Sequence, residues 1–343
     1  MNDPILLSGA PGSPYTRKML ALLRYRRLPY RFLLGGHGAH PNLPRPKVEL
    51  LPTFYLPGPD GALEAVVDSS PIIRRLEREH RGRAVLPSDP ALRYLDELLE
   101  DYADEWLTKA MFHYRWHYQA DIDRAGTILP MWRGITAPDD TLAAMKAMFS
   151  RRQIDRLYVV GSNAVTAPVI EASYRRYVAA LQAHLKVHPF LMGARPGASD
   201  FAAYGQLTQL THFDPTPMAE TLAGAPRVFA WVDVMEDLSG LEAGEDGWLD
   251  PAAPPSTLID LLKETARTYV PVMIANARAA AAGKPMVETE VDGLAWSQQT
   301  FPYQAKCVMW LRQSFAALPD AARQTVGGLL AESGCMPLIE AAI

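Results

Sequence analysis

The pattern of hydrophobic and polar positions changes near residue 85. Before that point, short apolar runs alternate with one helical pattern. After about residue 88, apolar positions recur mainly at intervals of three and four, which is typical of helices. We therefore expect a small α/β domain followed by an all-helical domain.

The first part predicts the order strand, helix, strand, loop, hairpin, helix. Residues 14–25 predict the first helix, and the turn signal PGPDG predicts a hairpin. The stretch from Asp68 to Arg81 predicts the last helix, because cap residues precede an apolar face. The predicted strands are PILLSG, LPYRFLL, PTFYL and ALEAVV.

The second part predicts a bundle, and a further mostly helical extension follows it. We expect a long helix over about 90–120, two more over 142–160 and 165–187, and then GASDFAAYGQLTQL and APRVFAWVDVMEDL. AGEDGWLDPAAPPST is predicted to be a linker. Beyond it we expect a helix near 256–282, a hairpin across Asp292-Gly293 and two helices that end at Gly334. The predicted domains are 1–85, 90–240 and 250–343.

Composition narrows the classes of partner. The 343 residues are 48% hydrophobic and 21% charged, with a net charge of -4, so we expect no nucleic-acid or membrane partner. The start predicts no signal peptide, and we expect a cytoplasmic protein. The two cysteines, Cys307 and Cys335, are too few for a disulfide framework or a zinc cage, so no metal is expected.

The stretch GSPYTRK places a hydroxyl at the start of the first helix. Ser13 precedes Pro14, which favours the first helical position, so a plain capping role is one interpretation. The other is functional, because unpaired N–H groups and the helix dipole at this point stabilise negative charge.

Four separate stretches resemble the cytosolic glutathione transferases. They are SPYTRKM, LLPTFYL, the pair Asp68-Ser69 with SPII after it, and FLMGARPGASDFAAYGQL; in the last, Asp200 is expected to cap its helix and Gly197 departs from the usual Ser or Thr. The resemblance covers residues 1 to about 240 and implies an α+β fold. A thioredoxin-like domain with a cis-proline precedes an all-helical transferase domain, and the extension follows. It also implies glutathione as co-substrate and a homodimer.

The resemblance also implies roles for residues in the first domain. Ser13 would stabilise the glutathione thiolate, with Tyr15 as a possible second hydroxyl. The bond between Leu51 and Pro52 would be cis and leave the Leu51 backbone free to pair with glutathione.

Asp68 and Ser69 would hold the γ-glutamyl end, and capping alone is the competing interpretation. For the glycyl carboxylate, His40, Arg45 and Lys47 are all candidates, and the sequence does not choose among them.

Aromatic residues on the long helix are candidates for the wall of a second-substrate pocket. Tyr102, Trp106 and His113 fall near one face, with His117 one turn further on. The same stripe is also typical of core or domain-interface packing. The two histidines alone make a weak metal site, because a third ligand is not evident.

The predicted reaction is attack of the glutathione thiolate on a hydrophobic electrophile. Because hydroxyls occupy both positions where a thiol-transferase would have thiols, redox exchange is disfavoured. Glutathione-dependent ether cleavage or dehalogenation is a related possibility. The rival from another class is a non-enzymatic binding or scaffold protein that uses its extension for contacts.

Overall fold

The first domain is a four-stranded sheet with two helices. The computed structural model describes residues 3–132, 134–244 and 247–343. The strand order is β2-β1-β3-β4, with β1 parallel to β2 and β3 antiparallel to both β1 and β4. The elements are β1 Ile5–Gly9, α1 Pro14–Tyr25, β2 Tyr30–Leu34, a 3-10 turn His37–Ala39, β3 Thr53–Pro57, β4 Leu63–Val66 and α2 Ser69–Glu79. This is the predicted thioredoxin-like layout.

The second domain is helical throughout its described part. Its α-helices are α3 Pro90–Tyr102, α4 Thr108–His117, α5 Gln119–Met131, α6 Asp139–Ile154, α7 Ala167–His184, α8 Ala198–His212, α9 Pro215–Gly224 and α10 Pro226–Met235. A π-helical turn, Ala103–Leu107, joins α3 to α4, and we call it the π segment. The predicted long helix ends at His117, and α5 and α9 were not predicted. The predicted fold class is confirmed.

The start of α8 is capped by a residue from another helix. Gly197 has no side chain to accept the first N–H groups, and Asp96 on α3 accepts from Ala198 N at 3.2 Å and Ser199 N at 3.0 Å. A Cβ on Gly197 would lie 2.3 Å from Asp96 Oδ1, so glycine is what lets this carboxylate reach the cap. Asp200 accepts from Gly197 N and Leu191 N, which ties the preceding loop to the helix.

A second glycine lets the two domains touch closely. Gly205 on α8 faces α1, and a Cβ there would lie 2.5 Å from Pro14 O and 3.0 Å from Lys18 Cβ. Because backbone cannot retreat as a side chain can, any larger residue would push the two helices apart. The first turn of α1 is therefore held directly against the second domain.

The extension packs on the second domain. It consists of α11 Ser256–Ala281, the hairpin β5 Met286–Val291 and β6 Leu294–Gln299, and then α12 Pro302–Ala316, α13 Asp320–Ser333 and α14 Pro337–Glu340. The predicted hairpin is confirmed, with Asp292 at φ 55° and Gly293 at φ 73°. Trp296 lies against Trp106, with 5.2 Å between ring centres. Residues 245 and 246 of the predicted linker lie outside the described residues.

None of the described helices combines the length and apolarity that crossing a membrane requires.

A buried ammonium group joins α1, α2 and the second domain. Lys18 Nζ lies 2.6 Å from Asp104 Oδ2, 2.8 Å from Glu100 Oε1 and 3.1 Å from Ser69 Oγ, and its side chain is 1% exposed. Burial opposes the charge on Lys18, but Asp104 and Glu100 together raise its pKa above the usual value.

The two carboxylates respond differently to the same ammonium group. Burial raises the pKa of Asp104 to about 7, with Lys18 acting against it. Burial also opposes the charge of Glu100, yet Lys18 and Arg74 hold its pKa below the usual value. Glu100 is therefore the main ionic partner of Lys18, and we call these three residues with Ser69 the Lys18 cluster.

We expect Lys18→Met to lower the free energy of unfolding by about 3–5 kcal/mol, because it leaves two buried carboxylates without their cation. Denaturant unfolding of the full chain measures this, with Lys186→Met at an exposed site as the control. The loss should be smaller when Lys18→Met is made in an Asp104→Asn background. A cost below about 1 kcal/mol would show that the cluster is not what holds α1 in place.

Candidate functional site

A cavity of about 600 Å³ opens beside the first turn of α1. One wall comes from the first domain, through the loop before α1 and the residues around Gly35 and Leu51. The other comes from one face of α4 and from α5 and α6. The second wall consists mostly of large apolar side chains, among them Met111, Phe112, Trp116, Leu129, Trp132, Met145, Met148 and Phe149.

Ser13 lies at the edge of this cavity and caps α1. Its Oγ accepts from Thr16 N at 3.3 Å and donates to Leu51 O at 3.3 Å. Both distances are at the long end for hydrogen bonds of these kinds, so a better acceptor can take over the hydroxyl hydrogen at small cost. The peptide bond between Leu51 and Pro52 is cis, as the resemblance implies. The structure thus brings Ser13, Leu51 and Pro52 together.

Arg115 on α4 holds the loop that precedes Ser13. Its guanidinium donates to Gly12 O at 3.2 Å, to Gln209 Oε1 at 2.7 Å and to both oxygens of Asp214 at 2.9 to 3.1 Å. The residue is 3% exposed and lines the cavity. A fixed cation therefore lies one residue from Ser13, where it favours an anion. The sequence analysis missed it, since an arginine on a helix is ordinarily a surface residue.

Tyr15 also lines the cavity, but its hydroxyl points to the second domain. It donates to the backbone carbonyl of Asp104 at 2.7 Å, in the π segment. Burial raises the pKa of Tyr15 well above its usual value, and the Glu105 and Asp104 charges raise it further. The Tyr15 hydroxyl therefore already has an acceptor for its hydrogen.

Asp68 and Ser69 lie at the start of α2, as predicted, and face different neighbours. Asp68 has φ 81°, which an aspartate rarely adopts, and its Oδ2 accepts from Tyr303 of the extension at 2.7 Å. The Ser69 hydroxyl belongs to the Lys18 cluster and is 7% exposed. Its backbone N–H remains one of the unpaired donors at the helix N-terminus.

The three candidates for the glycyl end lie in the loop after β2. The His40 ring is hydrogen-bonded to Leu34 O at 3.0 Å through Nε2, and Arg45 pairs with Glu49 at 2.9 Å. Lys47 is exposed. A second cavity of about 540 Å³ lies beside this loop, and Arg152 of α6 lines both cavities. Sequence reasoning did not single out Arg152, because α6 gave no functional signal.

The predicted wall of Tyr102, Trp106 and His113 has to be corrected. All three side chains lie in the core: Tyr102 and Trp106 are 1% exposed and His113 is 0% exposed. Trp106 donates to Ser173, and the His113 ring lies between Ser162 and Glu171 at 2.7 and 3.3 Å. The packing interpretation of the stripe is the one that fits. None of the three lines the cavity.

The cavity wall is formed by another face of the same helix. Thr108, Met111, Phe112, Arg115 and Trp116 repeat at three, four, seven and eight residues, which is also a helical stripe. The sequence carried this signal as clearly as the other. It could not show which stripe faces the first domain.

Burial lowers the pKa of His113 to about 4, so its ring is neutral at physiological pH. In the part of the chain that the structure describes, no group of three or more His, Cys, Asp or Glu side chains is arranged to hold a metal ion.

Comparison with known families assigns the two domains. The family model described as glutathione S-transferase, N-terminal domain, matches residues 7–84. The model described as glutathione S-transferase, C-terminal domain, matches residues 142–233. Both match in the order that the fold shows, and the chain belongs to the glutathione S-transferase superfamily.

Similar solved structures come from several organisms. A glutathione S-transferase from Methylobacterium radiotolerans, in complex with glutathione sulfonate, is 21% identical over 68% of this chain and 90% of its own, with a TM-score of 0.37. A transferase from Burkholderia graminis, with two glutathione molecules bound per subunit, is 16% identical over 76% and 88%, with a TM-score of 0.42. No curated protein matches the chain. The family assignment rests on the two family models.

We expect Phe149→Ala to weaken binding of the apolar anion anilinonaphthalene sulfonate about 3- to 10-fold, because it removes apolar contact area from the cavity wall. Fluorescence titration measures the affinity. Val187→Ala, at an apolar residue that is 64% exposed, is the control. Equal loss in both variants, or none in Phe149→Ala, would contradict this wall.

Proposed function

We propose that this protein is a glutathione transferase of the serine type. Glutathione binds along the first domain with its sulfur at Ser13, and a hydrophobic electrophile occupies the cavity of about 600 Å³ between the domains. The observation that carries the proposal is the position of the Ser13 hydroxyl. It lies at the N-terminus of α1, at the edge of a large apolar cavity, beside the backbone of Leu51.

The charges around the cavity support an anionic co-substrate. Arg115, Arg152 and Arg156 are among the described residues that line it, and no aspartate or glutamate is among them. The unpaired N–H groups of α1 add a further positive potential at Ser13. Such an environment lowers the pKa of a thiol placed there and increases the fraction present as thiolate.

Each part of the step has an assigned residue or region. The glutathione thiol gives its proton to solvent, and Ser13 donates a hydrogen bond to the resulting thiolate in place of the one to Leu51 O. The sulfur lone pair then forms the bond to an electrophilic carbon. A leaving group departs with the electron pair of its bond, or an addition product takes a proton from water. The apolar wall holds the electrophile within reach of the sulfur.

The two ends of glutathione would bind at separate anchors. We assign the γ-glutamyl ammonium to Asp68 and the γ-glutamyl carboxylate to the N-terminus of α2 at Ser69. The Leu51 backbone pairs with the cysteinyl backbone. For the glycyl carboxylate, Arg152 joins His40 as a candidate, because its guanidinium lies between the two cavities.

Several features stay predictions. They are the identity of the electrophile, a second hydroxyl role for Tyr15, the homodimer and the cytoplasmic location. The contact between Tyr15 and the Asp104 carbonyl favours a structural role for that hydroxyl.

We expect Asp68→Asn to weaken glutathione binding by about 1–3 kcal/mol, because it removes the charge that pairs with the ammonium group. Asparagine keeps the size of the side chain and tolerates positive φ better than alanine, so the backbone is retained. Calorimetric titration of the reductant-free protein with reduced glutathione measures this. Asp320→Ala is the control, at a side chain that is 97% exposed.

Two outcomes would count against the proposal. Unchanged affinity in a folded Asp68→Asn variant would reject the γ-glutamyl anchor. Absence of binding by the unaltered protein up to about 10 mM glutathione, confirmed by a second method, would reject the function, since transferase co-substrates bind within that range. It would favour a binding protein that keeps the fold without this ligand.

A further inference from the structure

The first turn of α12 reaches from the extension to the first domain. The Tyr303 hydroxyl donates to Asp68 Oδ2 at 2.7 Å, over a separation of 235 residues. The Tyr303 ring is 42% exposed and lines a cavity of about 420 Å³ between α2, α3 and α12. The extension thus contacts the residue assigned to the γ-glutamyl ammonium.

The residues on both sides of Tyr303 are fixed by buried amides. The Asn276 side chain on α11 accepts from Phe301 N and donates to Phe301 O, each at 2.8 Å. Gln304 donates to Glu105 Oε2 at 3.0 Å and accepts from Gln298 at 3.1 Å. Because these contacts hold the start of α12, the Tyr303 hydroxyl is preorganised and loses little entropy in reaching Asp68.

The Asp68 carboxylate still has capacity for a cation. Among the described side chains, Tyr303 is the one that donates a hydrogen bond to it, and it does so to Oδ2. A carboxylate has about four acceptor positions, so Oδ1 and the remaining lone pair of Oδ2 can receive an ammonium group while Tyr303 stays in place. A neutral donor also orients the carboxylate without neutralising it.

We propose that Tyr303 is a positioning residue that aims the Asp68 carboxylate at the γ-glutamyl ammonium group, so that the extension forms part of the glutathione site. This inference rests on the proposed function. It gives the extension a role inside the chain itself, where the sequence left cleft cover, dimer contact and partner recruitment open.

The titration of Asp68 reports on the same contact. Burial raises the pKa of Asp68 above its usual value, while the Tyr303 hydroxyl and the Lys18 ammonium lower it. Glu100 on α3, Glu105 in the π segment and Cys307 on α12 are the other ionisable neighbours. Loss of the Tyr303 hydroxyl therefore raises the pKa of Asp68 further. Binding that needs the ionised carboxylate is then lost at a higher pH as the solution is acidified.

The test compares two ligands on the full chain by calorimetry. One is reduced glutathione, and the other is glutaryl-cysteinylglycine, which is glutathione without the α-amino group. We expect Tyr303→Phe to weaken glutathione binding about 3- to 10-fold and to leave the affinity for the amine-free ligand within about twofold. The pH at which glutathione binding is half lost should also be higher in Tyr303→Phe. Tyr158→Phe, at a tyrosine that is 56% exposed, should change neither affinity.

Three results would overturn the proposal. An equal loss for both ligands would mean that Tyr303 acts on the fold and not on the ammonium contact. Tighter glutathione binding would mean that the hydroxyl competes with the ligand for Asp68. Unchanged binding of both ligands would give the contact no role. If the unaltered protein binds glutathione and Asp68→Asn weakens it, any of these results removes only the role of Tyr303. If the unaltered protein binds no glutathione, both proposals fail.

Discussion

One buried ammonium group sets the geometry on which the rest of the site depends. Lys18 lies one turn beyond Ser13 on α1 and bonds to Glu100 and Asp104 of the second domain and to Ser69 at the start of α2. A single side chain therefore links the helix that carries Ser13, the helix that starts at Ser69 and the wall between them. Because the partners are buried, the cluster tolerates little displacement of any of the three elements.

The extension completes this arrangement from the other side. Its hairpin covers Trp106 and supplies Gln298 to the buried ammonium of Lys109 at 2.9 Å. Tyr269 donates to Asp101, and Gln304 donates to Glu105. Without these contacts, the carboxylates and the lysine next to the π segment would lose their neutral partners. The extension is thus part of the same folded unit as the second domain.

Most of the fold could be predicted, because local patterns determine it. Pro14 to Tyr25 has a cap, a first-turn proline and an apolar face, and Asp292-Gly293 has the residues that a tight hairpin turn needs. The start of α8 shows the limit. Gly197 looked like a weak cap, and the acceptor comes from Asp96, about a hundred residues away.

The site was harder to predict, because it depends on which faces meet. Ser13, Leu51 and Asp68 were found through the resemblance, whereas Lys18 and Arg115 were not. Lys18 shares a face with Leu22 and Tyr25 at four and seven residues, and both are fully buried. That spacing was the available signal for a buried lysine. The contact between Tyr303 and Asp68 had no such signal, because it joins segments 235 residues apart.

The most direct test of the central claim is the titration of the glutathione thiol when it is bound to the protein, followed by the ultraviolet absorbance of the thiolate. If Ser13, the N-terminus of α1 and Arg115 act together on the sulfur, the bound thiol titrates well below free glutathione. In Ser13→Ala its pKa should then rise by about one to two units, as expected for the loss of a hydrogen bond to a charged group. A bound thiol that titrates like the free one, in both proteins, would contradict the assignment of this cavity as a site that activates glutathione.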